Sequence, residues 1–201
     1  MGDWGKWLKH AQEKFKNHKA TLIQDTDRYV AIDWRNENGS GDYYVNFIVD
    51  KKRGSFIVSG DLGDSIATWY NPITLSNLKS YIYHDTEYYI GKFQCTSDKY
   101  FYDADFVFEC LVDWLEMDCI TEYIEVSGDF EDYQEFEEEL KDQICDSIRG
   151  DEFVPTEKLY DMVTNIYSDG WEYLYNCGAQ IKGRVYLWAI GFNMACEQLG
   201  F

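Results

Sequence analysis

The spacing of apolar residues changes near residue 100, and this change limits the chain to few fold classes. Before it, segments rich in β-branched and aromatic residues alternate with turn residues, as in Tyr29–Trp34, Tyr43–Val49 and Ser55–Ser59. After it, apolar residues recur every three or four positions, which indicates helices. Strands followed by helices favour an α+β fold with the helices on one face of the sheet.

Residues 1–100 predict one N-terminal helix and an antiparallel sheet. An apolar stripe at helical spacing predicts a helix over Asp3–Lys19, and five lysines make it the basic element of the chain. About four strands follow, the last over Ser65–Tyr70, and their short connections predict a meander. Thr74 is a suitable N-cap for a further helix to about Tyr83.

Residues 101–201 predict a helical half that packs on one face of that sheet, so that residues 1–201 form a single domain. Capping residues and apolar spacing place its helices over residues 103–117, 129–149, 155–167 and 183–199. The last, Gly183–Leu199, is apolar on nearly all faces. That pattern is typical of a central buried helix.

Almost all of the net negative charge lies between Asp103 and Asp161. This stretch has 21 acidic and three basic residues, a net charge of −18, against −19 for the whole chain. Such a field attracts basic surfaces and repels nucleic acid, and basic surfaces in a cell are mostly those that hold DNA or RNA. A merely solvated helix face would show the same spacing, but confinement of the charge to one stretch favours a function.

The carboxylates of this stretch are spaced to form stripes on two helices. At a rise of about 1.5 Å per residue, each stripe has a carboxylate about every 6 Å, and a DNA strand has a phosphate about every 3.4 Å. Two neighbouring stripes would therefore match one strand. The residues expected to contact a partner are Asp105, Glu109, Asp113, Glu116, Glu131, Glu135, Glu138, Glu139, Asp142 and Asp146, with Tyr133, Tyr123 and Phe130 as aromatic anchors.

Motifs for catalysis and metal binding are missing from the sequence. The three histidines and six cysteines lack the spacing of zinc or hydrolase motifs, and the thiols are expected to be reduced and mostly buried. Asp103-Ala-Asp105 with Glu109 departs from an EF-hand loop because position 107 is valine and no glycine follows. We therefore expect no enzymatic activity, no cofactor and no metal.

Targeting signals are missing as well. The longest apolar run, Val185–Phe192, is far shorter than the roughly 20 residues of a membrane span. Residues 1–20 lack the apolar core of a signal peptide. The expected location is the cytoplasm, with no contact to a membrane.

Two segments resemble an uncharacterised family of small acidic proteins from phages and mobile elements of Gram-positive bacteria. They are Gly54–Trp69 (GSFIVSGDLGDSIATW) and Leu187–Leu199 (LWAIGFNMACEQL). The resemblance covers most of residues 40–200 and includes no catalytic motif. Such gene neighbourhoods encode inhibitors of host defence, among them anti-CRISPR proteins, so the resemblance implies an inhibitor that acts in the host cytoplasm.

The favoured hypothesis is a non-enzymatic, anti-CRISPR-like inhibitor that mimics nucleic acid in the basic channel of a defence protein, first of all a CRISPR effector nuclease. It would not bind nucleic acid directly. One alternative is a small-ligand-binding protein or enzyme with a pocket near Gly60–Asp64, using Asp61, Asp64 and Trp69. Another is a phage structural or assembly protein. The sequence leaves open whether the basic N-terminal helix of one copy pairs with the acidic face of another to form a dimer.

Overall fold

The chain forms two compact units in a computed structural model that describes residues 2–93 and 99–201. Unit 1 consists of residues 1–97 and 182–201, and unit 2 of residues 98–181. Unit 2 is thus inserted between two segments of unit 1. The sequence-based prediction for the thiol of Cys95 lies outside the described residues. None of the five described cysteines forms a disulfide.

Both units combine helices with strands. The first segment of unit 1 contains α1 (Gly2–Lys14), β1 (His18–Asp25), β2 (Tyr29–Asn36), β3 (Val45–Asp50), β4 (Ser55–Gly60), β5 (Ser65–Thr68), α2 (Leu75–His84) and α3 (Thr86–Gly91). Unit 2 contains β6 (Tyr100–Phe101), α4 (Ala104–Leu115), α5 (Met117–Ser127), α6 (Tyr133–Ser147), β7 (Ile148–Arg149), β8 (Glu152–Phe153), α7 (Glu157–Ile166), α8 (Gly170–Leu174) and β9 (Gln180–Ile181). The second segment of unit 1 contains α9 (Gly183–Leu199).

The five long strands form one antiparallel sheet in the order β1-β2-β3-β4-β5. Alternate residues of β2, Val30, Ile32 and Trp34, are buried, as period-2 patterning requires of a sheet with one covered face. The predicted α+β class, with an N-terminal helix, an antiparallel meander and a helical C-terminal half, is confirmed.

The prediction of a buried helix at the C-terminal end is confirmed. Helix α9 has the expected bounds, and 11 of its residues, from Val185 to Cys196, are buried. It packs on α1, α2 and the first three strands. The ring of Phe192 lies 5.5 Å from Phe47 and 4.9 Å from Phe56. This helix is therefore the core of unit 1, and not a part of the acidic helical unit.

Strand β1 corrects the prediction that the first helix extends to Lys19. Helix α1 ends at Lys14, and His18–Asp25 pairs with β2 instead. His18 and Ala20 point into the core while the residues between and after them are exposed. The sequence-based prediction had extended the basic helix to Lys19 because of the lysines at 16 and 19. Strand pairing with β2 overrides that local pattern.

Unit 2 is built mainly of helices that bury their apolar faces against one another. Its core includes Val107 and Leu111 of α4, Phe136 and Leu140 of α6, and Leu159 of α7. The helices are shorter than predicted, and α6 ends at 147 because residues 148 and 149 form β7. Helix α4 ends at 115, and residue 116 has φ +59°, which separates α4 from the unpredicted helix α5. Helix α6 begins at 133 and not at 129.

Two expectations concern the whole chain. The described residues contain no helix with both the length and the apolar character needed to cross a bilayer. The expectation of a single domain over residues 1–201 stays a prediction.

Candidate functional site: the acidic helices of unit 2

The charge of the protein is divided very unequally between its units. The sequence of unit 2 has 24 acidic and four basic residues, a formal charge of −20. Unit 1 has 13 acidic and 14 basic residues, a formal charge of +1. Solubility of a small domain needs a net charge of only about 2–8 in magnitude. The charge of unit 2 therefore exceeds what solubility requires.

Helix α4 carries the first predicted stripe over most of its length. The carboxylate of Asp103 accepts the N–H of Phe106 at 3.0 Å and caps the helix. Asp105, Glu109 and Asp113 are exposed, whereas Val107, Leu111 and Leu115 on the opposite face are buried. Glu116 is exposed but lies beyond the end of α4. It is therefore not part of this helical stripe, contrary to the prediction.

The N-terminus of α6 uses two of the predicted contact residues for its own structure. The carboxylate of Asp132 accepts the N–H of Glu135 at 3.0 Å, and the carboxylate of Glu135 accepts the N–H of Glu131 at 2.6 Å. The first bond satisfies a backbone donor that a helix N-terminus leaves unpaired, and the second fixes the residue before the N-cap. Glu131 itself precedes the helix, because Asp132 and not Asp129 is the N-cap.

The body of α6 presents the clearest outward stripe. Glu138, Asp142 and Asp146 are exposed at four-residue spacing, opposite the buried Phe136 and Leu140. They span about 12 Å along the helix axis. None of the three forms an ion pair with any residue that the structure describes. Glu138 accepts a hydrogen bond from the uncharged amide of Gln134 at 3.0 Å.

Two carboxylates beside this stripe are neutralised within the unit. The ammonium of Lys158 on α7 lies 2.6 Å from the carboxylate of Glu139, and it lowers the pKa of that carboxyl below its ordinary value. Gln143 also donates a hydrogen bond to Glu139 at 2.9 Å. Lys141 forms an ion pair with Glu137. Glu139 is thus a half-buried link between α6 and α7, and it is less suited to a partner than its neighbours.

The seam between α4 and α6 contains one cation. The ammonium of Lys141 lies 4.6 Å from the ring centre of Phe108, a cation–π contact. Asp105 is close enough to contribute, after Glu137, to raising the pKa of Lys141. The two predicted stripes therefore lie on adjoining helices, with a lysine in the seam. Any match to a polyphosphate strand is interrupted at that point.

A third acidic stripe was not foreseen, because α5 was not predicted. Asp118, Glu122 and Glu125 are exposed on this helix at spacings of four and three residues. The same spacing rule that identified the other stripes would have found it, had a helix been predicted over residues 117–127. Outward faces of helices around one core point in different directions. The acidic surface therefore extends around unit 2 and is not confined to α4 and α6.

The aromatic residues expected as partner anchors are packed within unit 2. The ring centres of Tyr123 and Phe130 lie 6.3 Å and 5.3 Å from that of the buried Phe136. The hydroxyl of Tyr123 donates to the carboxylate of Asp129 at 3.2 Å. Tyr133 is half-buried, 6.4 Å from the same ring. These side chains hold the α5–α6 connection in place.

The two aspartates of the alternative site near Gly60–Asp64 accept hydrogen bonds from the neighbouring backbone. The carboxylate of Asp61 accepts the N–H of Tyr43 at 2.8 Å, and that of Asp64 accepts the N–H of Gly60 at 3.3 Å. Both thus organise turns. Trp69 lines a different pocket, to which neither aspartate contributes. Within the described residues, no group of three or more His, Cys, Asp or Glu side chains could hold a metal ion.

Comparisons with known proteins do not place the chain in a family. No protein-family model, curated protein or solved structure matches it. The geometry and charge of unit 2 are therefore the basis for a functional assignment.

Proposed function

We propose that the acidic helices of unit 2 bind a basic surface with which another protein holds nucleic acid, and that the chain is a non-enzymatic inhibitor of that protein. The observation that carries the proposal is the outward row of Glu138, Asp142 and Asp146. These carboxylates have no cationic partner in the described part of the chain. A basic surface would supply the missing counter-charges.

The cost of keeping these charges together supports a function for them. Like charges four residues apart on a helix cost about 0.2–0.5 kcal/mol per pair, and the row contains two such pairs, Glu138–Asp142 and Asp142–Asp146. A simple exchange of one partner for lysine would remove this cost. The chain instead places its lysines at 141 and 158, where they pair with Glu137 and Glu139.

The resemblance to phage and mobile-element proteins directs the choice of partner. Inhibitors of CRISPR effector nucleases are the first class to test, because such nucleases hold guide and target strands in a positively charged channel. Electrostatic complementarity of this kind speeds association and gives specificity. We expect binding to weaken steeply as salt is raised.

The test compares two variants with the same change in charge. In E138Q/D142N/D146N the outward row of α6 is neutral, and in D118N/E122Q/E125Q the corresponding row of α5 is neutral. Each variant is titrated against candidate nucleases while displacement of their bound nucleic acid is followed by fluorescence anisotropy. Exposed charge pairs contribute about 0.2–1 kcal/mol each, so loss of three pairs should make the α6 variant bind about threefold to 150-fold more weakly.

The α5 variant should bind nearly as well as the unmodified protein. Equal losses in both variants would mean that binding depends on total charge and not on the α6 row. Undiminished inhibition by the α6 variant, with the fold verified by circular dichroism, would contradict the proposal.

A further inference from the structure

The loop from Trp69 to Ile73 is held directly against a basic turn of unit 1. The N–H of Trp69 donates to the carbonyl of Gly54 at 2.8 Å, and the N–H of Ile73 donates to that of Lys51 at 2.9 Å. A Cβ at position 54 would overlap the backbone of the loop, and the φ of this residue is +64°. Glycine therefore allows the close approach of loop and turn.

The turn carries three consecutive cations, Lys51, Lys52 and Arg53, between β3 and β4. The carboxylate of Asp50 fixes its shape, because it accepts the N–H of Lys52 at 3.2 Å and that of Arg53 at 3.0 Å. Lys51 is paired with Asp25 at 3.1 Å. Lys52 and Arg53 form no ion pair with the residues that the structure describes.

Beside the turn lies a small pocket with aromatic walls. Its volume is about 110 Å³, and Trp69, Tyr70, Tyr81 and Tyr88 contribute to its lining. The rings of Trp69 and Tyr81 are nearly parallel, with an interplanar angle of 12° and a centroid separation of 6.2 Å. Tyr88 packs against Tyr81 at 65° and 5.1 Å. The pocket can accept a flat group about as large as one aromatic ring.

The side chain of Tyr70, at this pocket, is not packed against the rest of unit 1. Its exposed area is 103% of the reference value, whereas the neighbouring Trp69 is 8% exposed. A fully exposed aromatic ring beside a basic turn is the arrangement that proteins use to stack a base while a cation holds its phosphate. It contributes nothing to the core of unit 1.

A shallow basin of about 580 Å³ adjoins the pocket and shares Pro72 and Ile73 with it. Asp27, Lys51 and Lys52 also line the basin. Pockets for small ligands are typically about 300–1,000 Å³. The aromatic pocket alone is below this range, but pocket and basin together accommodate a ligand with a flat part and a charged part.

We propose that unit 1 binds a nucleotide at this place, with its base against the rings of Tyr70 and Tyr88 and its phosphate at Lys52 and Arg53. A cationic ligand, the other class that aromatic rings attract, is disfavoured by the basic turn. In addition, the ammonium of Lys92, 4.4 Å from the ring centre of Tyr88, adds positive charge to the site. This site is independent of the acidic helices and of the function proposed for them.

The experiment titrates the full-length protein with AMP, with adenosine and with inorganic phosphate, at about 0.15 M salt, and follows the indole and amide signals by NMR. AMP is expected to bind at least tenfold more tightly than either part alone. A single-stranded oligonucleotide is the fourth probe. If the oligonucleotide binds more tightly than AMP, the natural ligand of the site is a single strand. If the two bind with equal affinity per site, the natural ligand is a free nucleotide.

Variants separate the two halves of the site. Tyr70→Ala should weaken AMP binding about fivefold or more, as loss of a stacked ring does, and K52A/R53A should weaken AMP but not adenosine. Asp27→Asn should strengthen AMP binding, because it removes a carboxylate from the basin. Tyr175→Ala and K9A/K16A, which change an exposed tyrosine and two exposed lysines elsewhere, should leave binding unchanged.

Three results would overturn the proposal. The first is no AMP binding up to about 10 mM, well above the range of specific ligands. The second is equal affinity for adenosine and AMP, because the phosphate would then gain nothing from the basic turn. The third is unchanged affinity in Tyr70→Ala, whose exposed side chain can be removed without loss of the fold.

Discussion

His18 is a buried titratable residue whose two ring nitrogens have different surroundings. Its Nε2 lies 3.2 Å from the carbonyl of Tyr43, while its Nδ1 is buried without a partner, and the ring packs against Phe15 and Trp34. Burial lowers the pKa of His18 from its ordinary value of 6.5. Protonation would place an unpaired N–H and a charge in the core, which is unfavourable.

This histidine should make unit 1 sensitive to mild acid. The unfolded chain binds the proton more tightly than the folded state, so the contribution to stability is complete above about pH 6.5 and is lost as the pH falls below it. The midpoint of thermal unfolding should fall as the pH is lowered from about 7.5 to about 5, the range in which histidine titrates. His18→Gln retains a donor to Tyr43 and should remove this component of the pH dependence.

A variant of a second histidine provides the control. His84 is exposed, and His84→Gln should keep the acid sensitivity of the unmodified protein. A His18→Gln variant with the same pH profile as the parent would contradict the assignment. The burial of His18 was not predictable from the sequence, because the local pattern assigned it to the basic helix and only pairing with β2 turns it inward.

The same limit applies to the candidate site. Spacing alone correctly predicted which face of α6 is exposed. It could not predict that Lys158, 19 positions beyond Glu139, neutralises that carboxylate, because this depends on the packing of α7 on α6. Nor could spacing choose between Asp129 and Asp132 as N-cap, since both are favourable capping residues.

At the scale of elements, the contact between α1 and α9 depends on one glycine. A Cβ at Gly183 would overlap the indole of Trp7, whose ring is stacked on Tyr186 at a centroid distance of 5.9 Å. Gly183→Ala therefore has to displace Trp7 or separate the helices. We expect a loss of about 1–3 kcal/mol in the free energy of unfolding, measured by urea denaturation.

Gly5, in α1, is the matched control. No atom lies within 4 Å of a Cβ placed there. Gly5→Ala should stabilise the protein by about 0.5–1 kcal/mol, because alanine is the better helix former. If Gly183→Ala were as stable as the parent, the docking of α1 on α9 would not depend on this close contact.

Elements with strong periodicity were predictable, and those governed by long-range contacts were not. Alternating or all-round apolar patterns correctly identified β2 and α9. Helix α5 was missed because it follows α4 directly, after a positive φ at Glu116, which is uncommon for a residue other than glycine. The sequence predicted a helix that ends at Met117 and no helix over residues 118–127, where the chain forms α5.

At the scale of the whole molecule, the charge of −20 on unit 2 repels itself. Such repulsion destabilises a compact state, and salt reduces its range from about 30 Å at 0.01 M to about 3 Å at 1 M. We expect the midpoint of thermal unfolding, followed by the helical signal in circular dichroism, to rise when sodium chloride is added. The rise should be smaller for E138Q/D142N/D146N than for the parent.

Sucrose, which carries no charge, is the control for general solvent effects. Its concentration is chosen so that it raises the midpoint of an unrelated neutral protein as much as the added sodium chloride does. It should stabilise the parent and the variant alike. A midpoint that falls or stays constant with salt would mean that the carboxylates of unit 2 do not repel one another appreciably.

The order of the segments along the chain has a consequence for synthesis. Unit 2 is continuous in sequence, whereas the sheet of unit 1 needs α9, which is encoded after it. During translation the acidic helices can assemble while the apolar face of the sheet still lacks its cover. We therefore expect the sheet of β1–β5 to keep an uncovered apolar face until α9 has been synthesised and has left the ribosome.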